Sequence, residues 1–104
     1  MNFIKTKEHI YLNDNHNEMI AEVRFPLVGD HLVEINRTYV DSSLRGQGVA
    51  NKLLEAAYQQ LKEQNYKVIP TCSYALAWFK RNIDKQDILK PGLDLDKLKE
   101  ECAI

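Results

Sequence analysis

The stretch LRGQGVANKLLEAA contains the residues of this sequence whose types and spacing most suggest chemistry. Glycine loses more conformational freedom on folding than any other residue, so two glycines before a helix indicate a tight turn or an open backbone. The N–H groups at a helix N-terminus attract an anion, and Arg45 adds a positive charge beside them. The stretch therefore predicts a phosphate site at the start of a helix.

Two common phosphate motifs do not fit this stretch. A P-loop needs the pattern Gly-x-x-x-x-Gly-Lys-Ser/Thr, and the residues after Gly46 break it. A dinucleotide fingerprint needs glycine or alanine where Asn51 stands, and a carboxylate at the end of the following strand. That strand is expected to end in Ile69, Pro70 and Thr71, so nucleotide sites of these two classes are excluded.

The segment RGQGVA instead resembles the acyl-CoA signature of the GNAT acetyltransferases, Arg/Gln-x-x-Gly-x-Gly/Ala. Its flanks, TYVDSSLRGQGVANKLLEAA, resemble the family's longer pattern of a valine-ended strand, a polar loop, the glycine motif and a Leu-Leu helix. Further on, ALAWFKRN resembles the family's second motif. The resemblance covers about residues 32–82 and points to a short, single-domain branch of that family.

The resemblance implies acetyl-CoA as cosubstrate, with its pantetheine arm lying between two central strands that splay apart. The backbone of Tyr39 and Val40 is expected to pair with the pantetheine amides, as an added strand would. The opposite wall is expected from residues 70–73, including Cys72 and Ser73, and from Tyr74 at the start of the second helix. The pyrophosphate is expected in a cup formed by Arg45, Gly46, Gln47, Gly48, Val49, Ala50 and Asn51.

The second motif departs from the family pattern at its tyrosine, the usual general acid for the departing CoA thiolate. Trp78 and Phe79 stand at the aromatic pair, so that hydroxyl is absent. Tyr74 carries a hydroxyl one helical turn earlier and is the catalytic candidate, with water as the alternative. Trp78 is expected to anchor the second helix in the core.

Cys72 is the other catalytic candidate, because it lies where the acetyl thioester is expected. A thiolate there would accept the acetyl group and pass it on. The alternative, which we favour, is that Cys72 fills space at a strand end, since unpaired cysteine is often buried. No His, Lys or acidic residue adjoins Cys72 in the sequence to lower its pKa.

An acceptor ammonium must lose a proton before it attacks, so a base or a water relay is needed. Glu22 and Glu34 are the carboxylates of the expected strands. We expect both to be solvated on the outer face of the sheet, and neither is assigned as the base.

The elements that position these residues follow from hydrophobic periodicity. Alternation predicts strands in HIYLN, EMIAEVRF and LVEINRTYV, the last as one continuous strand after a PLVGDH turn, with FIKT as an optional first strand. Apolar spacing of three and four predicts a helix from Val49 to about Gln64. The segment YKVIP is predicted to form a strand, and SYALAWFKRN is predicted to form a helix capped by Thr71 or Ser73. The segment LDLDKLKEECA is predicted to form a short helix whose inward-facing residues are Leu95, Leu98 and Cys102.

The expected fold is therefore α+β, a GNAT-like, mostly antiparallel mixed sheet with splayed central strands and two to three packed helices. The 104 residues suit a single domain, residues 1–104. With 14 basic and 15 acidic residues the chain lacks the basic excess of a nucleic-acid-binding protein. No apolar run suits a membrane span or a signal peptide, so we expect a cytoplasmic protein.

The cysteines and histidines show no metal-ligand spacing, so we expect no metal site and no disulfide between Cys72 and Cys102. His9, His16 and His31 are expected at the surface or in turns. We expect the protein to be a monomer or a weak dimer.

The leading hypothesis is transfer of an acetyl group from acetyl-CoA to an amine acceptor that the sequence does not identify. The alternative is an acyl-CoA-binding or sensing module with little or no transferase activity, favoured by the missing motif tyrosine and the short chain. A third hypothesis is an interaction domain in which the glycines only form a turn.

Overall fold

The computed structural model describes residues 2–98 and shows two small sheets with two α-helices. The first sheet is antiparallel, with strand order β1-β2-β3-β6: β1 (Ile4–Lys5), β2 (His9–Asn13), β3 (Met19–Arg24) and β6 (Arg37–Val40). The second has order β4-β5-β7: β4 (Leu27–Gly29), β5 (Leu32–Ile35) and β7 (Lys67–Pro70). The helices are α1 (Val49–Glu63) and α2 (Ser73–Arg81). This arrangement confirms the α+β prediction.

The predicted continuous strand LVEINRTYV is wrong, because it breaks at Asn36 between the two sheets. Before the break, β5 pairs in parallel with β7, and after it β6 pairs antiparallel with β3. The Ile35 carbonyl accepts hydrogen bonds from the Thr71 N–H at 3.0 Å and the Cys72 N–H at 3.1 Å. Beyond Ile35 the two central segments diverge, since one joins β3 and the other turns into α2. The predicted splay of the central strands is therefore confirmed.

Helix α1 follows the predicted boundaries closely and lies along one face of the first sheet. It ends at Glu63 and buries its apolar residues against Ile10, Ala21 and Val23 of β2 and β3. Each fully buried leucine contributes about 1.5–3 kcal/mol of transfer free energy to folding. The buried residues of the helix are Val49, Leu53, Leu54, Ala57, Tyr58 and Leu61.

Helix α2 begins differently from the prediction. Its N-cap residue is Cys72, and no side chain caps it, because the Thr71 hydroxyl donates to Glu34 Oε1 at 2.9 Å instead. Trp78 is fully buried, as expected, with its ring edge-on to Phe79 at 5.0 Å. The indole therefore anchors the helix in the core.

Besides a 3₁₀ turn at Ser42–Leu44, three short elements complete the described chain. The predicted turn PLVGDH contains strand β4, which pairs with β5. A 3₁₀ segment that was not predicted, Ile83–Ile88, is held to α1 by the Tyr58 hydroxyl, which donates to Asp87 Oδ1 at 2.8 Å. The predicted terminal helix is a three-residue 3₁₀ turn, Leu95–Lys97, within the described residues, and Cys102 lies outside them. None of the helices formed by residues 2–98 combines the length and apolarity that a membrane crossing requires.

Candidate functional site

A cavity of about 830 Å³ opens between β6, the loop that leads into α1, and the start of α2. Its volume falls in the range of small-molecule sites, about 300–1,000 Å³. The lining consists of residues 37–40, 44–46, 48–50, 72–74 and 77. The residues predicted to contact acetyl-CoA line it, except Gln47 and Asn51 and, in the predicted opposite wall, Pro70 and Thr71.

The two glycines of the motif adopt backbone conformations that other residues rarely adopt. Gly46 has φ +84° and Gly48, the N-cap of α1, has φ +71°. A Cβ atom built on either glycine would meet no heavy atom within 4 Å, so packing does not require glycine there. The backbone conformation requires it, because left-handed angles are strained for other residues.

The N-terminus of α1 is electrostatically suited to an anion. No side chain caps it, and its first turn has no acidic residue. The first intrahelical bond runs from the Lys52 N–H to the Gly48 carbonyl at 3.1 Å, so the preceding N–H groups lack an intrahelical acceptor. Val49 and Ala50 carry two of these groups and line the cavity, next to the exposed Arg45.

The loop before the glycines is held by Asp41. Its Oδ2 accepts hydrogen bonds from the Ser43 hydroxyl at 2.6 Å and the Ser43 N–H at 3.0 Å, and these bonds lower the pKa of Asp41. Asp41 Oδ1 also accepts a bond from the Tyr39 hydroxyl at 3.3 Å. The Gln47 side chain donates to the Ser43 carbonyl at 3.4 Å, so it braces this loop and lies outside the cavity lining.

Asn51 connects the two helices that begin at the cavity. Its Oδ1 accepts a hydrogen bond from Trp78 Nε1 at 2.7 Å. The side chain is thereby turned toward α2, which explains its absence from the cavity lining.

Cys72 and Ser73 line the part of the cavity next to the point where the central strands diverge. Cys72 is 1% exposed, and Ser73 is also buried. Tyr74 also lines the cavity and is 40% exposed. Phe79 is buried in the core and does not line the cavity, so the phenols in the lining are those of Tyr39 and Tyr74.

The prediction that Glu22 is a solvated carboxylate is wrong. Glu22 is 2% exposed, and its carboxylate accepts bonds from Arg24 Nε at 2.7 Å, Arg37 Nε at 2.8 Å and His9 Nε2 at 2.8 Å. Burial raises the pKa of Glu22, but the bonds from Arg37, Arg24 and His9 outweigh it, so the pKa lies below its ordinary value. Such a carboxylate is a weak base at neutral pH.

This ionic cluster was missed in the sequence, although its signal was present. Glu22 and Arg24 are two residues apart on β3, and Arg37 lies directly across from Arg24 on β6. His9, expected at the surface or in a turn, lies in β2 and stacks on Tyr11 with ring centroids 4.6 Å apart. Glu34 is half-buried and bound to Thr71, so it too differs from the fully solvated carboxylate expected.

Within residues 2–98, no three His, Cys, Asp or Glu side chains lie close enough together to hold a metal ion. His16 and His31 lie in exposed turns, and His31 has φ 52°.

Comparison with known proteins places these features in a family. Residues 9–88 match the family model described as GCN5-related N-acetyl-transferase. Protein NATD1 of Gallus gallus and of Mus musculus are each 32% identical over 73 residues, which is 70% of this chain and 64% of each relative. The match therefore spans less than two thirds of the length of those relatives.

Two solved structures are also similar to this chain in sequence and fold. A GCN5-like protein of Staphylococcus aureus, solved by NMR, has 31% identity and a TM-score of 0.74, covering 89% of this chain and 90% of its own. The GNAT family N-acetyltransferase YhbS of Escherichia coli, solved in complex with CoA, has 27% identity and a TM-score of 0.55, covering 66% of this chain and 42% of its own. The chain belongs to the GCN5-related N-acetyltransferase family.

Proposed function

We propose that this protein binds acetyl-CoA in the cavity described above and transfers its acetyl group to an amine. The observation that supports this proposal is that one cavity combines two structural features. Central strands diverge after Ile35 beside this cavity, and a helix with a glycine N-cap begins in its lining. Family membership supports transfer over the alternative of an acyl-CoA-binding or sensing module.

The pyrophosphate of the proposed ligand is assigned to the start of α1. The N–H groups of Val49 and Ala50 have no intrahelical acceptor, and the helix dipole favours negative charge there. Arg45 supplies a charge-assisted contact from the same loop. The left-handed glycines let the backbone approach the phosphates closely.

The pantetheine arm is assigned to the edge of β6 that faces the cavity. This strand ends the sheet order β1-β2-β3-β6, so one of its edges pairs with β3 and the other faces the cavity. The peptide groups of Tyr39 and Val40 then pair with the pantetheine amides, as in other cases of strand addition. The thioester then lies in the part of the cavity lined by Cys72 and Ser73.

In the proposed reaction the acceptor nitrogen, after losing a proton, attacks the thioester carbonyl carbon. A C–N bond forms, the C–S bond breaks, and the CoA thiolate leaves and takes up a proton. Tyr74 lines the cavity and is the side-chain candidate for donating that proton, with water as the alternative.

Cys72 offers a second route in two steps. The Cys72 thiolate attacks the thioester carbonyl to give acetyl-Cys72 and CoA thiolate, which takes up a proton. The amine then attacks acetyl-Cys72, and its proton passes to the departing cysteine thiolate. We favour a packing role for Cys72, because its side chain belongs to the hydrophobic core.

Four finer points belong to the same proposal. The ligand is acetyl-CoA without a metal ion, and the protein acts in the cytoplasm as a monomer or weak dimer. The acceptor is an amine that reaches the thioester beside Cys72 and Ser73.

Calorimetric titration with acetyl-CoA, followed by measurement of CoA release with a panel of amines, tests the proposal. Binding with turnover supports it, binding without turnover for any amine favours the binding module, and the absence of binding refutes both.

A further inference from the structure

A hydroxyl group without a hydrogen-bond partner lies in the wall of the cavity, on Thr38 of β6. Of the buried side-chain nitrogen and oxygen atoms in residues 2–98, Thr38 Oγ1 alone lacks a partner. Burying a hydroxyl in this way costs folding free energy, so such groups are uncommon in native proteins. Because Thr38 lines the cavity, a bound ligand is the natural partner for its hydroxyl.

The side chain of Thr38 lies on the face of the first sheet that packs against α1. Thr38 is directly opposite Val23 of β3, and side chains of such a pair share one face. Val23 is fully buried in the core that α1 covers. Rotation about the Cα–Cβ bond exchanges the places of the hydroxyl and methyl groups of threonine, so the oxygen reaches a ligand without movement of the backbone.

Thr38 lies across the diverging strands from the start of α2. Ile35 and Pro70 are paired in parallel, and Thr38 and Ser73 are each three residues further along. Ser73 is the first residue of α2, which has no side-chain cap and no acidic residue in its first turn. The N-terminus of a helix favours negative charge, so the space between Thr38 and α2 suits an oxygen that becomes negative.

The proposed path of the pantetheine arm leads to the same space. The arm begins at the pyrophosphate beside α1 and pairs first with Val40 and then with Tyr39. The next residue of β6 in this direction is Thr38. The thioester that ends the arm therefore lies beside the Thr38 side chain.

We propose that the Thr38 hydroxyl donates a hydrogen bond to the thioester carbonyl oxygen and stabilises the negative charge that this oxygen acquires during acyl transfer. The inference rests on the proposed function. When the acceptor nitrogen adds to the carbonyl carbon, the π electron pair moves onto the oxygen. When the C–S bond breaks, the carbonyl re-forms and the thiolate leaves with the bonding pair. The hydroxyl proton stays on Oγ1 throughout, so Thr38 acts as a hydrogen-bond donor and not as an acid.

The stability of the ligand-free protein tests the starting observation. Thr38→Val removes an unpaired buried hydroxyl and keeps the branched shape, so its melting temperature should equal or exceed that of the native chain. Thr71→Val is the contrasting variant, because the Thr71 hydroxyl donates to Glu34 Oε1 at 2.9 Å, and its melting temperature should fall. A clear fall for Thr38→Val would show that its hydroxyl is already bonded in the free protein, which overturns the proposal.

The binding test compares acetyl-CoA with S-ethyl-CoA, which has a methylene group in place of the carbonyl. Calorimetry should find that Thr38→Val reduces the preference for acetyl-CoA about 2- to 12-fold, the effect of one neutral hydrogen bond, and leaves the S-ethyl-CoA affinity unchanged. Thr38→Ser keeps the hydroxyl and should keep the preference. Thr6→Val, an exposed threonine outside the cavity lining, is the control and should change neither affinity.

Two binding results would overturn the proposal. An unchanged preference in Thr38→Val would show that the hydroxyl does not contact the thioester carbonyl. Equal weakening of both ligands would place the hydroxyl on the pantetheine arm. If neither ligand binds to the native chain, the proposed function fails instead.

Turnover with an amine from the panel tests the catalytic role. Thr38→Val should lower kcat about 100-fold, the effect of removing one oxyanion donor, and Thr38→Ser should restore most of the loss. Equal kcat values for Thr38→Val and the native chain would overturn the proposal.

Discussion

Gly48→Ala separates the strain of a left-handed N-cap from its role in binding. The added Cβ would meet no protein atom within 4 Å, so it creates no clash in the free protein. It does place an L-residue at φ +71°, which costs about 1–2 kcal/mol. We expect the variant to fold, with a melting temperature lower by about 4–8 °C for each kcal/mol lost.

The loss of binding is expected to be larger than the loss of stability. The new methyl group occupies space beside the N–H groups of Val49 and Ala50, where the proposed pyrophosphate lies. Loss of one hydrogen bond to a charged group costs about 1.5–3 kcal/mol, which corresponds to about a 10- to 150-fold weaker Kd. Calorimetric titration with CoA measures it directly.

Gly92→Ala is a matched control for this experiment. Gly92 has φ +82°, its Cβ position is also open, and it lies outside the cavity lining. The same strain should therefore lower the melting temperature of Gly92→Ala while the CoA affinity stays unchanged. Equal affinity for CoA in Gly48→Ala and the native chain would show that the phosphates bind elsewhere.

Three further predictions concern other residues of the site. Arg45→Ala should weaken CoA by about 1.5–3 kcal/mol and dephosphorylated pantetheine hardly at all, and equal losses in calorimetry would make Arg45 structural. If Cys72 carries the acyl group, mass spectrometry after incubation with acetyl-CoA should find one acetyl mass on the Cys72 peptide, which hydroxylamine removes, and no such mass in Cys72→Ser. If Cys72 has only a packing role, neither protein should carry the adduct. The neighbours of Glu22 hold its pKa below the ordinary value, so its negative charge stabilises the folded state. This stabilisation is complete at pH values above the pKa of the unfolded state, and it is lost as the pH falls through the lower pKa of the folded state. Urea unfolding should therefore find Glu22→Gln less stable than the native chain by about 1–3 kcal/mol at neutral pH, with a gap that narrows in acid; a gap independent of pH would contradict this.

Local patterns in the sequence predicted α1, β7 and the glycine turn because these features depend on neighbouring residues. The break at Asn36 was not predictable in this way, since no proline or glycine marks it within LVEINRTYV. It arises because Ile35 is bonded to Thr71 and Cys72, while the next residues pair with β3. Those partners are distant along the chain, so periodicity carries no information about them.

The cap of α2 and the state of Glu22 were mispredicted for a related reason. The position of Thr71 in the sequence suits a helix cap, but its hydroxyl donates a hydrogen bond to Glu34 on the neighbouring strand β5. Glu22 sits on the outer face as expected, yet Arg24, Arg37 and His9 cover it. In both cases a partner on another strand outweighed the local preference.

The hydrogen bond between Trp78 and Asn51 gives the protein a built-in optical probe. Trp78 is the single tryptophan of the chain, and because its indole is fully buried we expect its fluorescence emission to be blue-shifted. The indole N–H is bonded to Asn51 in the first turn of α1, three residues after the Gly48 N-cap. A ligand that binds at the start of α1 should change the electric field at this bond, so we expect the emission spectrum to report occupancy of the cavity without any label.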